Sequence, residues 1–293
     1  MNNFSNAHLI VNPKAGGGRA RIALPSILQL LEETGLPVTQ SIPESPQEAR
    51  ASAEDAIRNG CDLLIAMGGD GLIRDILPAA IESGTPLGII PLGTGNDLAR
   101  ALGISRDIPE AISTLMQGSV TSIDAARVGD TYFVNVASSG LDAATAAEIN
   151  RRKMGRGTLA YICALMKILP GFRPAEFELE LDGEKKSFRG MLVAVANASS
   201  YGGGMLIAPE SSLADGLFDI VAVEAMSKLE FLCCFPQVFS GKHVSHPKVR
   251  TYRASRVRIS ADPPQLVMAD GDVISKTPAA FEIVPGALKV ITR

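Results

Sequence analysis

The sequence predicts an α/β N-terminal domain with a doubly wound parallel sheet over residues 1–122. A mainly antiparallel, β-rich C-terminal domain follows over 123–278, and the segment from about 279 to 293 is expected to return to the first domain. Three observations carry this. Up to Ser122, short apolar runs alternate with helically spaced segments, the rhythm of a parallel sheet covered by helices. Gly16-Gly17-Gly18, Gly68-Gly69-Asp70-Gly71 and Gly93-Thr94-Gly95 each follow an expected strand, so three glycine-rich turns should lie along one sheet edge. From Ile123, strand-like runs succeed one another through short turns.

Taken in order, His8-Leu9-Ile10-Val11 reads as a first buried strand, and helical spacing runs over 22–31, with Pro25 tolerable only in the first turn and Gly35 closing the helix. A short strand over 38–42 precedes Ser45-Pro46-Gln47-Glu48, which has capping-box spacing with proline at the first helical position. That helix should run to Asn59 and stop at Gly60. The apolar run Asp62-Leu63-Leu64-Ile65-Ala66 leads into the second glycine turn, and a helix follows to about Ser83. The run Pro86-Leu87-Gly88-Ile89-Ile90 is a fourth strand, after which Asp97 opens a helix. In the second half, Val128-Gly129-Asp130-Thr131-Tyr132 and Leu181-Asp182-Gly183-Glu184 signal hairpins. Residues 191–196 form a continuous apolar strand, and 144–152, 158–169 and 228–239 are expected helices. Closing strands should flank Pro285-Gly286.

At 293 residues, with 46% hydrophobic and 20% charged side chains, the chain can bury two cores. Its net charge of −3 argues against general nucleic-acid binding. The four cysteines, Cys61, Cys163, Cys233 and Cys234, have neither zinc-site nor disulfide-framework spacing. No window reaches the about 20 apolar residues of a membrane span, since Lys167 interrupts the best one. Contact with a membrane is therefore expected from the surface. The basic groups Arg151-Arg152-Lys153 with Arg156, and Lys248 with Arg250, Arg253, Arg256 and Arg258, read as solvated faces or as contacts to anionic headgroups or ATP phosphates.

The chemistry concentrates in the turns. Glycine lets backbone approach a ligand closely, and the amides opening the next helix can bind phosphate oxygens. Asp70 has the wrong sign to meet phosphate directly, which points to a metal ion or bound water as intermediary. Seven blocks then occur in order: Asn12-Pro13 before a glycine loop; Gly68-Gly69-Asp70-Gly71; Pro91-Leu92-Gly93-Thr94-Gly95-Asn96-Asp97; Ile123-Asp124; Asn135 with Gly140; Ala214-Asp215-Gly216-Leu217; and Asp270-Gly271-Asp272. In that order they resemble the diacylglycerol kinase catalytic family, in particular its soluble bacterial lipid kinases, from His8 almost to the C-terminus.

The resemblance implies an N-terminal domain of the NAD kinase/diacylglycerol kinase-like type and a β-rich domain, with ATP, Mg²⁺ and a lipid hydroxyl meeting in a cleft between them. By position, Asn12, Pro13, Lys14, Ala15 and Gly16 would bind the nucleotide, with Ser41, Gly68, Gly69, Asp70, Gly71, Leu72, Ile73, Arg74 and Thr94. Asp70, Asp97 and Asp124 would join a carboxylate and water network around the catalytic Mg²⁺. Asp272 stands where the family's general base is usually a glutamate, and Leu72 where it usually has threonine. A second, structural Mg²⁺ would bind near Asp215 with backbone oxygens of Ser212 and Leu217. The implied setting is cytoplasmic and peripheral to the inner face of the membrane, with a lipid partner, no nucleic acid, and room for a homodimer. Two rivals share these signals: an NAD kinase-like enzyme, which has the same Gly-Gly-Asp-Gly turn, and a non-catalytic nucleotide-binding regulatory protein.

Overall fold

The structure is a computed structural model that describes residues 4–152 and 157–293, so Lys153 and Arg156 lie outside the described residues. The chain divides into two compact units. One runs up to Ile123 and includes Gly286–Arg293; the other is Asp124–Pro285.

In the first unit, β1 (Ala7–Val11), α1 (Arg19–Glu33), β2 (Val38–Ser41), α2 (Pro46–Arg58), β3 (Leu63–Gly68), α3 (Asp70–Ser83), β4 (Leu87–Pro91), α4 (Asp97–Ala101) and α5 (Ile108–Gln117) follow one another. The strand order is β4-β3-β1-β2, all parallel, with Leu9 opposite Ile65 and Ile65 opposite Gly88. β3 and β4 are buried along their whole length, as expected of central strands with helices on both faces. All three glycine-rich turns therefore open from the carboxyl ends of β1, β3 and β4.

One helix start and one cap differ from expectation. α1 begins at Arg19, directly after a 3-10 turn at Ala15–Gly18, so Pro25 sits inside the helix rather than in its first turn. Its ring deprives the Arg21 carbonyl of a partner, and both residues are exposed, so water can replace the lost bond. At α2, Ser45 Oγ accepts from the Glu48 amide at 3.2 Å. Glu48 in turn accepts from the Glu44 amide at 2.9 Å, one residue earlier than a reciprocal capping box requires.

The second unit holds the second half of β5 (Ser119–Val128), then β6 (Thr131–Phe133), β7 (Val136–Gly140), α6 (Leu141–Arg152), α7 (Thr158–Ile168), β8 (Ala175–Leu181), β9 (Glu184–Ala196) and β10 (Phe218–Glu224). It continues with α8 (Lys228–Cys234), β11 (Val249–Ala254), β12 (Arg256–Asp262), β13 (Leu266–Ala269), β14 (Asp272–Lys276) and the first half of β15 (Ala279–Thr292). Its pairing is antiparallel, in the order β14-β13-β7-β9-β8-β12-β15, with β10 and β11 leading off from β9. β9 is apolar on both faces because both are covered. Val193 and Val195 join one core cluster, whereas Leu192, Ala194 and Ala196 join another.

Two further expectations are corrected. The helix expected over 228–239 ends at Cys234 and continues as a 3-10 turn, Phe235–Ser240, because Pro236 has no amide to donate. The closing strands around Pro285-Gly286 are one continuous strand, β15. Gly286 at φ +60° turns the backbone there without ending the pairing.

Phe133 anchors the second unit's core. It is fully buried, stacked on Phe218 at 6.2 Å and edge-on to Phe281 at 6.4 Å. Phe133→Ala is expected to lower stability by about 3–5 kcal/mol. The check is urea unfolding, in which the midpoint should fall at unchanged slope.

Candidate active site

The first unit's site is built from backbone pressed against backbone. Gly68 O accepts both the Leu92 amide at 2.8 Å and the Gly93 amide at 2.9 Å, which ties the turn after β3 to the turn after β4. A Cβ on Gly93 would lie 2.5 Å from Gly69 Cα, and one on Gly16 would lie 2.4 Å from Leu92 O, so no larger residue fits at either contact. The Asn12 amide donates to Met67 O at 3.0 Å, and Asn12 Oδ1 accepts from the Lys14 amide at 3.1 Å, shaping the loop after β1. Three turns are thereby locked edge to edge.

Carboxylates converge on this platform. A Cβ on Gly95 would stand 2.9 Å from Asp70 Oδ2 and 3.1 Å from Asp97 Oδ2, so the two acids face one another across a residue with no side chain. Asp70 also accepts from the Leu98 amide at 3.2 Å. Burial raises the Asp70 pKa above the ordinary aspartate range, the Asp97 charge raises it further, and the amides of Leu98 and Asp97 work the other way. Arg100, one helical turn beyond Asp97, binds Asp97 at 2.6 Å and Gly95 O at 3.0 Å. Asn96, at φ +54°, donates a hydrogen bond from its Nδ2 to Gly93 O at 2.9 Å, and its buried Oδ1 has no protein partner.

The remaining nucleotide candidates divide. Thr94 and Lys14 are exposed, and Pro13 is half-buried. The side chains of Leu72 and Ile73 are buried, and their amides both donate back to Gly69 O, so neither offers a group to a ligand in this arrangement. Arg74 pairs with Asp75 at 2.8 Å. Ser41 Oγ is 2.9 Å from His8 Nε2 and 2.5 Å from Ser52 Oγ.

In the second unit, Asp124 is buried and bound to the loop 212–217. Its amide donates to Leu213 O at 2.6 Å, and its Oδ2 accepts from the Gly216 amide at 2.7 Å. Within that loop Ser212 Oγ accepts from the Ala214 amide at 3.3 Å and Asp215 Oδ1 from the Leu217 amide at 3.1 Å, while Asp215 Oδ2 takes the Arg253 guanidinium. Asp272 begins β14, half-buried. Just before it, Asp270 at φ +43° accepts the amides of Val134, Asn135 and Val136 at 2.9, 3.0 and 3.2 Å.

Sequence reasoning gave no role to Arg100 or Asp270, and it read Arg253 only as part of a basic face, without its partner Asp215. The i, i+3 spacing of Asp97 and Arg100 on a helix was the available signal for the first. Arg253 carried none, because its place opposite Asp219 depends on the β10–β11 register.

A Mg²⁺ ion suits the donors of the first unit. Among the described residues, no three His, Cys, Asp or Glu side chains form a cage. Mg²⁺ needs none, since it keeps several waters and binds through one or two carboxylates plus substrate phosphates. Two facing acids, one with a raised pKa, together with an orphaned buried amide oxygen, form such a donor set. At Asp215 the carboxylate is already paired, so a cation there would have to displace Arg253.

Comparison with known proteins follows this division. The family profile "Diacylglycerol kinase catalytic domain" matches residues 6–128, and "YegS C-terminal NAD kinase beta sandwich-like domain" matches 135–292. A diacylglycerol kinase of Mycobacterium tuberculosis (strain H37Rv) is 34% identical over 289 residues, covering 96% of this chain and 93% of that one. The diacylglycerol kinase of Bacillus subtilis (strain 168) is 34% identical over 284 residues, covering 95% and 93%. A crystal structure of a diacylglycerol kinase from Bacillus anthracis strain Sterne shares the fold at a TM-score of 0.78 and 21% identity, covering 100% of this chain and 98% of that one.

The raised Asp70 pKa has a signed consequence. The folded state holds that proton more tightly than the unfolded chain does, so ionising Asp70 costs stability. The cost is absent below the ordinary aspartate value of about 4 and complete above the raised folded value. Asp70→Asn, which keeps an acceptor for the Leu98 amide, should therefore melt above the wild type at pH 7. The gap should close as pH falls through that window, as read by thermal unfolding at a series of pH values.

Proposed function

The chain belongs to the diacylglycerol kinase family and is a lipid kinase, and we propose that it transfers the γ-phosphoryl group of ATP, with Mg²⁺, to the hydroxyl of diacylglycerol or a related lipid. The observation that carries the reading is the pair of facing carboxylates, Asp70 and Asp97, set among glycine turns that leave no room for a side chain where Gly16, Gly69 and Gly93 make contact. Phosphoryl transfer requires that the triphosphate charge be neutralised and the acceptor be oriented, and asks little covalent work of the protein. The glycine turns supply close backbone approach, and Asn12–Gly16, Gly68–Gly71 and Thr94 are the proposed nucleotide contacts. Asp70 and Asp97 would hold Mg²⁺, which when bound offsets negative charge on the phosphates. Arg100 keeps the Asp97 carboxylate turned toward Gly95.

Asp272 is the proposed general base. In the transfer, a bond forms between the lipid oxygen and the γ-phosphorus, the bond to the β-phosphate bridging oxygen breaks, the hydroxyl proton passes to the Asp272 carboxylate, and ADP leaves. The reach lost against a glutamate is one methylene. Asp270, held by its three backbone amides, fixes the turn that presents Asp272. Asp124 is proposed to act through the loop 212–217, which it binds through Leu213 O and the Gly216 amide. The proposed setting is cytoplasmic and peripheral to the membrane. No helix among the described residues is long and apolar enough to cross one.

The test is transfer of labelled γ-phosphate from ATP, with Mg²⁺, to hydroxyl-bearing lipids in mixed micelles, with NAD as a parallel acceptor. Labelled lipid is expected. Label on NAD alone, or ATP binding without transfer to any acceptor, would refute the reading. Asp272→Asn should leave ATP affinity nearly intact while lowering turnover by ~10²-fold or more, and an unchanged rate removes it from the base role.

A second Mg²⁺ at Asp215, with the carbonyls of Ser212 and Leu217, would exchange Arg253 for the ion. Mg²⁺ should then raise the melting temperature of the wild type by more than that of Asp215→Ala, in which only the Asp70 and Asp97 site remains. An equal rise in both proteins, or none in either, would leave Asp215 as the partner of Arg253.

A further inference from the structure

His8 sits among three hydroxyls on one face of the first unit's sheet. In the parallel β1–β2 register His8 stands beside Thr39 and Ile10 beside Ser41. Side chains two residues apart on a strand share a face, so Thr39 and Ser41 both reach the imidazole. Ser52 meets them from α2. His8 Nδ1 is 2.7 Å from Thr39 Oγ1, and Nε2 is 2.9 Å from Ser41 Oγ and 3.2 Å from Ser52 Oγ.

The donors fix the protons of this cluster. Thr39 gives its hydroxyl proton to Ala7 O, at 3.3 Å, a carbonyl that can only accept. Thr39 Oγ1 therefore accepts from His8 Nδ1. Burial lowers the His8 pKa, so at pH 7 the ring is neutral and carries one N–H. With that proton on Nδ1, Nε2 is an acceptor. Ser52 donates to Ser41 Oγ at 2.5 Å, which leaves Ser41 to donate to Nε2. The Ser41 proton is thus committed inside the protein. What half-buried Ser41 still offers is one lone pair.

An acceptor at this place has a defined partner. Ser41 ends β2, whose carboxyl end lies beside that of β1 and its glycine loop, on the edge where open α/β sheets bind ligands. The phosphate oxygens of a nucleotide bound with Mg²⁺ are acceptors too, so the partner belongs to the nucleoside. In the order β4-β3-β1-β2, β2 is two strands from β3 and three from β4, about 10–14 Å from the turns that carry Asp70 and Asp97. A nucleotide whose phosphates lie at those acids extends past its ribose before it reaches β2. That brings the base to Ser41.

We infer that His8 is a positioning residue that sets the base specificity of this kinase: by holding the Ser41 proton, it makes Ser41 Oγ an acceptor for the exocyclic amino group of adenine. A base with oxygen at that position would set a carbonyl against the same lone pair. The inference rests on the nucleotide site proposed above, but binding reads it without lipid or turnover.

The test is calorimetric titration of the full chain with the Mg²⁺ complexes of ATP, of inosine triphosphate, in which oxygen replaces the amino group, and of 2′-deoxy-ATP. The wild type should bind inosine triphosphate about tenfold more weakly than ATP, the worth of one hydrogen bond, and 2′-deoxy-ATP as well as ATP. In His8→Leu the Ser41 hydroxyl can turn and donate to the carbonyl, so the preference should fall to within about twofold. Thr39→Val is a milder route to the same end, because it removes the acceptor that holds the His8 proton on Nδ1. Ser52→Ala leaves the Ser41 bond to His8 in place and should keep the preference. Melting temperatures establish that each variant is folded. Equal binding of ATP and inosine triphosphate by the wild type, or a preference that survives in both His8→Leu and Thr39→Val, overturns the inference. So does a preference lost equally in Ser52→Ala, which would make the cluster a packing element. A loss confined to 2′-deoxy-ATP overturns it as well, by putting the ribose at Ser41. The lipid transfer assay reads the kinase reading separately: base preference without labelled lipid defeats that reading alone, and labelled lipid without base preference defeats this inference alone.

Discussion

The structure of the first unit depends on direct backbone contact between turns. Where Gly69 meets Gly93, and Gly16 meets the Leu92 carbonyl, the separation is smaller than any Cβ allows. Side chains would force the turns apart and break the two amide bonds to Gly68 O. The same closeness leaves room beside Gly95 for two carboxylates to face each other. Packing and electrostatics are thus one constraint: the backbone contact that fixes the turns also brings Asp70 and Asp97 near enough for their charges to oppose. A cation relieves that opposition, which links the folding of the turns to the chemistry proposed for them.

Much of this was legible because it is local. Strand, glycine turn and helix start are adjacent in sequence, and parallel-sheet geometry carries them to one edge without further information. What resisted reading was set by exposure or by register. Pro25 sits inside α1 because the carbonyl it orphans faces water, a fact about the surface rather than the sequence. Pro236 ends α8 in a position that rhythm alone read as helix. Arg253 reaches Asp215 because β10 and β11 pair in one particular register, with Asp219 opposite Arg253. A reading that saw only Asp-Gly in a turn had no means of finding its cation. Leu72 stood out as an unusual residue, and the structure buries it beneath Gly68, where a hydrocarbon side chain packs.

The two acids on either side of Gly271 illustrate how a site is held. Asp270 spends both carboxylate oxygens on three amides of the segment 134–136, in a left-handed conformation that aspartate tolerates better than most residues. Its partner in the motif, Asp272, begins the next strand. One acid fixes the backbone and the other is presented by it, a division of labour that the repeated Asp in Asp270-Gly271-Asp272 does not reveal by itself.

The outward apolar face of α7 is fixed in orientation by a polar anchor on its inner side. Asp142 is fully buried and accepts from Ser138 Oγ at 2.7 Å and from the Tyr161 hydroxyl at 2.6 Å, so it joins β7, the start of α6 and α7 at one point. Burial raises its pKa, with the hydroxyl donors opposing. Rotation of the helix would bury Leu159, Cys163 and Met166 only by exposing Tyr161, Ala164 and Leu165, so it gains little apolar burial. Rotation would instead strand a buried carboxyl without its Tyr161 donor, and an unsatisfied buried polar group costs about 1–3 kcal/mol or more when charged. The aromatic stack of Tyr161 on Phe235 would be lost as well. The buried hydrogen bonds of Asp142 and the stack of Tyr161 on Phe235 thus decide which face of α7 is turned inward.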